Sequence, residues 1–248
     1  MSGYGRFARY YDSLTDDVRY RERAAFFDVL IKRHMPKAEL LLDLACGTGS
    51  LTGELSALGY DLIGVDASED MLSVAMQKAG DFTGSVMFLC QEAQHLDLYG
   101  TVDVCVCALD SLNHLPGVKS LDAAMARVSL FMNPGGLFLF DLNTLYKHRE
   151  ILADNTFVYE REDVCCVWRN EYSGEDDSVD ITLDFFEKTG ANTYTRYTES
   201  FSEYYFNDKL IESLLDHNGL GLLETYDGDT FGAPSPLSQR TLYATQKK

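Results

Sequence analysis

LLDLACGTG, Leu41 to Gly49, is the stretch on which the reading of this chain turns. Leu40 to Leu44 form an apolar run without polar/apolar alternation, broken at once by small residues and glycine. That is the pattern of a parallel strand buried on both faces. Gly47 and Gly49 permit backbone shapes that side chains forbid and let a ligand approach the main chain closely. Thr48 or Ser50 is placed to cap a helix starting near Leu51. Strand, glycine turn and helix start together predict a cofactor loop.

Moving outward, four more strands are expected at Leu62–Val65, Val86–Leu89, Val102–Cys107 and Gly136–Leu142. Helical runs lie between them at Leu51–Leu58, Glu69–Lys78 (with Ser68 as N-cap) and Val118–Phe131. Ahead of the loop, Tyr20 to His34 reads as an amphipathic helix and Phe7 to Leu14 as a second helix. Alternating strands and helices imply an α/β, doubly wound, Rossmann-like sheet. Ligands in such sheets sit beyond the carboxyl ends of the strands, where Asp43, Asp66, Glu92 and Asp110 all fall. From about Asp154 the pattern changes to alternating runs rich in Val, Thr, Tyr and Phe. They span Phe157–Arg169, Ser178–Lys188 and Thr193–Phe206, with turns at SGEDDS and TGAN, and predict antiparallel strands. Asn207 then caps a helix over Asp208 to His217, closed by Asn218-Gly219. Leu222–Tyr226 and Arg240–Thr245 supply the last two strands. The expected organisation is one domain over 1–248. It comprises a helical cap (1–37), a cofactor-binding core (38–154), an antiparallel β lid inserted after the fifth strand (155–206), and a final helix and strands (207–248).

Glycine turns of this kind serve both dinucleotides and S-adenosylmethionine. After Gly47-x-Gly49 the next glycine is Gly53, whereas a dinucleotide fingerprint wants one at Thr52. Asp43 is an acid near where a pyrophosphate would lie, which suits a cationic amino-acid cofactor better than an anion. Asp66 ends the second strand run, where an acid binds a ribose diol of either cofactor. The first two features favour S-adenosylmethionine.

The chain resembles the class I S-adenosylmethionine-dependent methyltransferases from about Leu40 to Thr144, and weakly again near the C-terminus. LLDLACGTG is similar to the family's first motif, and GVDASEDML (Gly64 to Leu72) to its second. CQEAQHLDL (Cys90 to Leu98) is similar to the third, although the family more often has Asp where Glu92 stands. ALDSLNHL (Ala108 to Leu115) is similar to the fourth, and NPGGLFLFDLNT (Asn133 to Thr144) to the turn and strand that follow. The resemblance implies a seven-stranded sheet, mainly parallel with an antiparallel last strand, and S-adenosyl-L-methionine as cofactor. It implies cofactor contacts from Tyr11, Asp43, Ala45, Cys46, Gly47, Gly49, Asp66, Ala67, Met71, Glu92, Ala93 and Leu109.

Composition sets bounds. A chain of 248 residues with 46% hydrophobic content suits one elaborated α/β core. No apolar run approaches the ~20 residues needed to span a bilayer, and the start MSGYGRFARYYD lacks the apolar stretch of a secretory signal. A cytoplasmic protein, monomer or homodimer, acting without a membrane is expected. The six cysteines form no CxxC pair and no Cys/His spacing that suits zinc, so buried reduced thiols and no metal are expected. A net charge of −18 disfavours a nucleic-acid substrate, because phosphates need basic partners. Residues 1–37 nonetheless carry eight Lys/Arg against five Asp/Glu. They either dock on the acidic body or form a solvated helix face.

Methyl transfer from a sulfonium needs positioning and a dry site, and a base only where the nucleophile holds a proton at its pKa. Asp110, Asn113 and His114 are the catalytic candidates. His114 either accepts a proton from substrate or caps the loop and packs against the lid, while Asp110 equally suits an Asx turn bracing the loop. Asn143 either hydrogen-bonds substrate or makes a turn. Tyr4, Tyr10, Tyr11 and Tyr20 form one aromatic group, and Tyr194, Tyr197, Tyr204 and Tyr205 another. Either closes over the cofactor, binds a cation face-on, or simply packs. Arg149, Arg169 and Arg196 are candidates to clamp a substrate carboxylate. Three functions follow. The first is methyl transfer to an N or O nucleophile of a small molecule. The second is an NAD(P)-dependent oxidoreductase, for which only Tyr205-x-x-x-Lys209 speaks. The third is a non-catalytic S-adenosylmethionine-binding module.

Overall fold

The computed structural model describes residues 7–228 and 230–248; Tyr4 lies outside them. Seven strands form the main sheet: β1 (Leu40–Leu44), β2 (Asp61–Asp66), β3 (Val86–Cys90), β4 (Val102–Cys107), β5 (Met132–Asn143), β10 (Leu220–Asp227) and β11 (Arg240–Lys247). Their order is β3-β2-β1-β4-β5-β11-β10. All pairs are parallel except those of β11, which runs antiparallel to both β5 and β10. Six helices accompany them: α1 (Phe7–Leu14), α2 (Tyr20–His34), α3 (Ser50–Ala57), α4 (Glu69–Lys78), α5 (Val118–Phe131) and α6 (Asp208–His217).

Neighbouring residues of each central strand are buried on opposite faces, which explains the absence of alternation in the sequence. Leu41, Val104, Val106, Leu137 and Leu139 pack with Phe27, Leu30 and Ile31 of α2 and Leu55 of α3. Leu42, Leu44, Cys105, Cys107, Phe138 and Phe140 pack with Leu121, Met125 and Val128 of α5 and Ile211 and Leu215 of α6. The chain reverses direction across the sheet between β1 and β4, so the crevice at their carboxyl ends is the place for a ligand.

A second sheet, β6 (Thr156–Glu160), β7 (Val164–Tyr172), β8 (Val179–Gly190) and β9 (Thr193–Glu203), is antiparallel throughout. The single run expected over Phe157–Arg169 is in fact a hairpin. Four consecutive charged residues, Glu160 to Asp163, interrupt the apolar alternation and make its turn. One face of this sheet, with Val179, Ile181, Leu183 and Phe185, buries Phe7, Tyr10 and Leu14 of α1 together with Met71 of α4. On its other face, Asp184 accepts from Arg169, Arg196 and Thr198 at 2.6 to 2.9 Å.

Ser68 caps α4 by accepting from the Met71 N–H, and Asn207 caps α6 by accepting from Leu210. Thr48 and Ser50 do not cap α3; Gly49, in the left-handed region, holds that position. Their hydroxyls turn instead to Asp12 of α1, at 2.6 and 3.0 Å. The basic N-terminal segment docks on the acidic body through Arg9–Glu187, Arg23–Asp141 and Arg33–Glu224.

Candidate active site

Two strained loops face each other across the switch point. After β1, Ala45, Gly47 and Gly49 have φ of +58°, +54° and +74°. After β4, Leu109 and Asp110 have φ of +62° and +55°. Such backbone in non-glycine residues persists only where surrounding bonds fix it. Here Asp141 of β5 supplies those bonds. Its wholly buried carboxylate accepts from the Leu109 N–H (3.1 Å) and the Asp110 N–H (2.6 Å), and pairs with the buried Arg23 at 2.9 Å. The sequence reading passed over Asp141 because it sits mid-strand among Phe and Leu. An acid in such a run is itself a signal of a buried partner.

The glycines do different work. Gly47 lines the cavity between the loops, and a Cβ there would meet no protein atom. At Gly49 a Cβ would lie 3.0 Å from the Ala75 Cβ, so this glycine serves the turn and the close packing of α4. The Gly47 N–H donates to Asp66 Oδ2 and the Ser68 N–H to Asp66 Oδ1, both at 2.8 Å. Burial raises the Asp66 carboxyl despite those two bonds. Asp43 is buried behind the loop, accepts from the Thr52 hydroxyl at 2.6 Å, and is pushed up to about 7 by burial, with Asp66 adding. Burial also drives the Cys46 thiol well upward. A small recess of about 30 Å³ is bounded by Asp43, Cys46, Thr48, Tyr11, Tyr20 and Ala108, which is room for one small polar group.

The main cavity, about 540 Å³, runs from Asp66, Ala67, Met71, Glu92 and Ala93, past Gly47, Ala45 and Leu109, to Asp110, His114, Lys147, Glu203 and Arg240. Tyr11, Phe7 and Leu14 of α1 cover it on one side, and Tyr159, Trp168 and Phe201 of the second sheet on another. Glu92 sits at the rim, exposed, accepting from Gln94 and facing His95 Nδ1 at 3.1 Å.

The three catalytic candidates separate. Asn113 is fully buried and is consumed in bracing. Its Oδ1 accepts from the Asn143 N–H at 3.0 Å, and its Nδ2 donates to the Tyr204 carbonyl at 2.8 Å. Asp110 faces the cavity but is tied by Arg240, by Asn143 Nδ2 at 2.9 Å and by Lys147 at 3.9 Å. Burial alone would raise its carboxyl, yet Lys147, Arg240 and His114 outweigh that and hold it well below the usual range. His114 packs edge-on against Phe201, ring centroids 5.2 Å apart, and its Nδ1 has no hydrogen-bond partner among the described residues.

Four further residues, missed in the sequence, complete this end. Asn143 Oδ1 accepts from Lys147 Nζ at 2.9 Å, and its Nδ2 reaches both Asp110 and Glu203 (2.7 Å). Behind Glu203 stands the buried His148, Nε2 at 3.8 Å from Oε2. Lys147, His148, Glu203 and Arg240 come from a π-helical turn and from the ends of β9 and β11, so no local motif marks them. Asp110, His114 and Glu203 bring one ligand atom each within 4.8 Å of one another. Lys147 and Arg240 already neutralise Asp110 there, which leaves a metal ion little to add.

Other candidates lie elsewhere. Arg149 pairs with Asp177, and Arg169 and Arg196 pair with Asp184 on the second sheet. None of these arginines lines the cavity, and neither do Tyr194, Tyr197, Tyr204 and Tyr205; Lys209 is exposed. Cys90, expected to be buried, is exposed, while Cys105, Cys107 and Cys166 are buried; all six cysteines are unpaired.

A family model described as a methyltransferase domain matches residues 41–136. The putative methyltransferase YqeM of Bacillus subtilis (strain 168) is 30% identical over 245 residues, covering 98% of this chain and 97% of that protein. The crystal structure of a S-adenosylmethionine-dependent methyltransferase from Clostridium acetobutylicum ATCC 824 shares 31% identity and a TM-score of 0.88, covering 99% of each chain. A dTDP-3-amino-3,6-dideoxy-alpha-D-glucopyranose N,N-dimethyltransferase of Streptomyces fradiae is 31% identical over 122 residues, 49% of this chain and 46% of that enzyme. The chain belongs to the class I S-adenosylmethionine-dependent methyltransferases. Membership sets the oxidoreductase and the non-catalytic module aside. No helix among the described residues is long and apolar enough to cross a membrane.

Proposed function

We propose that this enzyme methylates a nitrogen or oxygen of a small molecule. The observation that carries the reading is the single cavity joining Gly47 and Asp66 to Asp110, His114 and Glu203. S-adenosylmethionine, when bound, supplies an electrophilic methyl group on a sulfonium. The chain's own residues divide the remaining work. Asp66, oriented by two backbone N–H groups, keeps lone pairs for a ribose diol. Asp43 and the recess beside it take the amino-acid end, with Tyr11, Ala45, Cys46 and Leu109 as walls. Ala67, Met71, Ala93 and the rim residue Glu92 hold the adenine side. Gly49 contributes through the turn alone. Asp110 holds Arg240 and Lys147 at the acceptor end, and Asn113 fixes the loop that carries it.

The acceptor end lies under the second sheet, walled by Trp168, Tyr159 and Phe201, and Phe7, Tyr11 and Leu14 of α1 line the same cavity. Dry walls of this kind favour a compact acceptor over a polymer, and the net charge of −18 opposes nucleic acid. The Streptomyces fradiae relative, whose name gives an amino sugar as its substrate, supports nitrogen as one acceptor atom. One chain lines the whole cavity, so a monomer or a homodimer with separate sites serves equally. Six unpaired thiols suit the reducing cytoplasm.

Titration calorimetry with S-adenosylhomocysteine tests the cofactor half: wild type binds, and Asp66→Ala loses about tenfold or more, the worth of one charge-assisted hydrogen bond. Transfer of radiolabelled methyl groups to a metabolite extract tests the other half. Binding without labelled product of low molecular mass sinks the small-molecule reading.

A further inference from the structure

We propose that Glu203 and His148 form a buried proton-holding pair at the acceptor end, with Glu203 as the base that receives the acceptor's proton and His148 as the group that positions and discharges it. The inference rests on the methyltransferase reading above and adds the chemistry of its acceptor: a nucleophile that carries a proton.

His148 Nδ1 lies 2.7 Å from the carbonyl oxygen of Asp177. A carbonyl only accepts, so Nδ1 carries a hydrogen. The other nitrogen, Nε2, has no hydrogen-bond partner among the described residues and points at Glu203 Oε2 across 3.8 Å. Both side chains are buried, at 0% and 4% exposure. With Nε2 unprotonated and Glu203 ionised, a lone pair would face a carboxylate in a dry site. One proton shared between them removes that conflict, whether held as imidazolium or as carboxylic acid. The pair is therefore built to gain and lose a single proton.

The contrast with Asp110 shows why Glu203 and not its neighbour is the base. Asn143 Nδ2 bridges the two carboxylates. Asp110 also holds Arg240 and Lys147, permanent cations that keep it ionised and weakly basic. Among the described residues neither lysine nor arginine forms an ion pair with Glu203. Its one charged counterpart is the titratable His148. Other charged or titratable groups surround the pair: Asp110 and His114 from the loop after β4, Lys147 and Arg149 from the turn after β5, Asp177 before β8, Tyr205 beyond β9 and Arg240 of β11. Tyr205 packs 6.2 Å from the His148 ring, and burial raises its hydroxyl, so it stays neutral. Asp177 is paired with Arg149.

The balance of the step is simple. The acceptor's N–H or O–H proton moves to Glu203. The acceptor atom's freed lone pair forms the new bond to the methyl carbon, and the electron pair of the broken S–C bond stays on sulfur as a neutral thioether. The positive charge leaves as the proton, shared with His148 Nε2 and then released to water.

The test follows the pair directly. Ring-nitrogen NMR of the ¹⁵N-histidine-labelled full chain, saturated with S-adenosylhomocysteine, is recorded from about pH 5 to 9.5 for wild type, Glu203→Gln and Glu203→Asp. Expected are a His148 Nδ1–H retained throughout and an Nε2 titration that moves down by about one pH unit or more in Glu203→Gln, with Glu203→Asp in between. An Nε2 titration that ignores Glu203→Gln, or an unprotonated Nδ1, overturns the pair. In the labelled-methyl assay with metabolite extract, Glu203→Gln should fall about 100-fold near pH 7, and it should recover above pH 9 for an ammonium or acidic hydroxyl acceptor, which sheds its proton there unaided. His148→Gln should fall about tenfold, with the affinity for S-adenosylhomocysteine unchanged in both variants. A Glu203→Gln rate within about threefold of wild type at pH 7 also overturns the proposal. Absence of product from wild type would count against the methyltransferase reading, and the NMR result would still decide the pair.

Discussion

Replacing Asp43 with asparagine should make the cofactor-free protein far less sensitive to rising pH. Asp43 is 2% exposed, and its one side-chain hydrogen bond among the described residues comes from the neutral Thr52 hydroxyl. Burial, helped by the nearby Asp66, pushes its carboxyl from the ordinary 3.8 to about 7. A folded-state pKa above the unfolded one means that the native state holds the proton over that whole interval. Stability is therefore full below the unfolded value, falls as pH rises, and reaches its floor once the folded pKa is passed. At about 1.4 kcal/mol per pH unit, the interval corresponds to about 4 kcal/mol, of which about 3 lies between about pH 5 and pH 8. In Asp43→Asn the Thr52 hydroxyl still has an oxygen to donate to, and the titration is gone. Calorimetric melting of both proteins across that range isolates the difference, because every other titrating group is common to them. For a chain of this size 1 kcal/mol is worth about 2–4 °C, so the two Tm profiles should diverge by about 10 °C. A bound ammonium beside Asp43 would restore its charge, so affinity for S-adenosylhomocysteine should also rise with pH in wild type only. Parallel melting profiles would refute the reasoning: Asp43 would then be ionised in the fold at ordinary cost.

Three other perturbations probe the scaffold. Arg23→Met removes the partner of the buried Asp141, whose remaining cation, Arg240 Nε, stands 3.6 Å away. Urea unfolding should show a loss of about 3 kcal/mol, together with weaker S-adenosylhomocysteine binding as the Leu109–Asp110 turn relaxes. Asp12→Ala cuts the tie from α1 to Thr48, Ser50 and Lys78. Burial would raise the Asp12 carboxyl, but these donors hold it below the usual range, so the tie persists at neutral pH and is lost only as pH falls below the ordinary carboxylate value. Because the site is partly exposed, stopped-flow release of S-adenosylhomocysteine should speed up by about fivefold at most, and less in high salt. Gly64→Ala places a Cβ 2.6 Å from two carbons of the Phe88 ring. It should cost about 1–3 kcal/mol in chemical unfolding, relieved by a second change, Phe88→Leu.

The fold was legible because its signals are local. Leu40 to Leu44, the loop glycines and the Ser68 and Asn207 caps each declare themselves within a few residues. The second sheet was legible by alternation, and its one misreading, the hairpin at Glu160 to Asp163, came from treating two short strands as a single run. That Gly47, Asp66 and Met71 share one cavity was foreshadowed for the same reason, since they lie close together in sequence. Cys90 shows the limit, since position in a motif does not say which way a residue faces. The acceptor side was much less legible. Arg23 meets Asp141 across 118 residues, and Arg240 meets Asp110 across 130. A pattern read along the chain cannot supply partners that only tertiary packing brings together.

Those distant partners are what give five similar carboxylates different chemistry. Asp141 is held by Arg23 and two backbone N–H groups, and Asp110 by Arg240 and Lys147, so both are pinned in place and shape the loop after β4. Asp66 is aimed by the N–H groups of Gly47 and Ser68. Asp43 has only a hydroxyl, and Glu203 only an amide and the imidazole behind it. A carboxylate with a permanent counter-charge organises structure; one without it answers to whatever charge or proton a ligand brings. Three are of the second kind: Asp66 would meet a ribose diol, Asp43, in the recess behind the loop, a cationic amino acid, and Glu203 an acceptor shedding its proton. The same electrostatic rule therefore separates the carboxylates that would answer to a ligand from those that hold the loop after β4, and exchanging the two roles would require moving a guanidinium from one to the other.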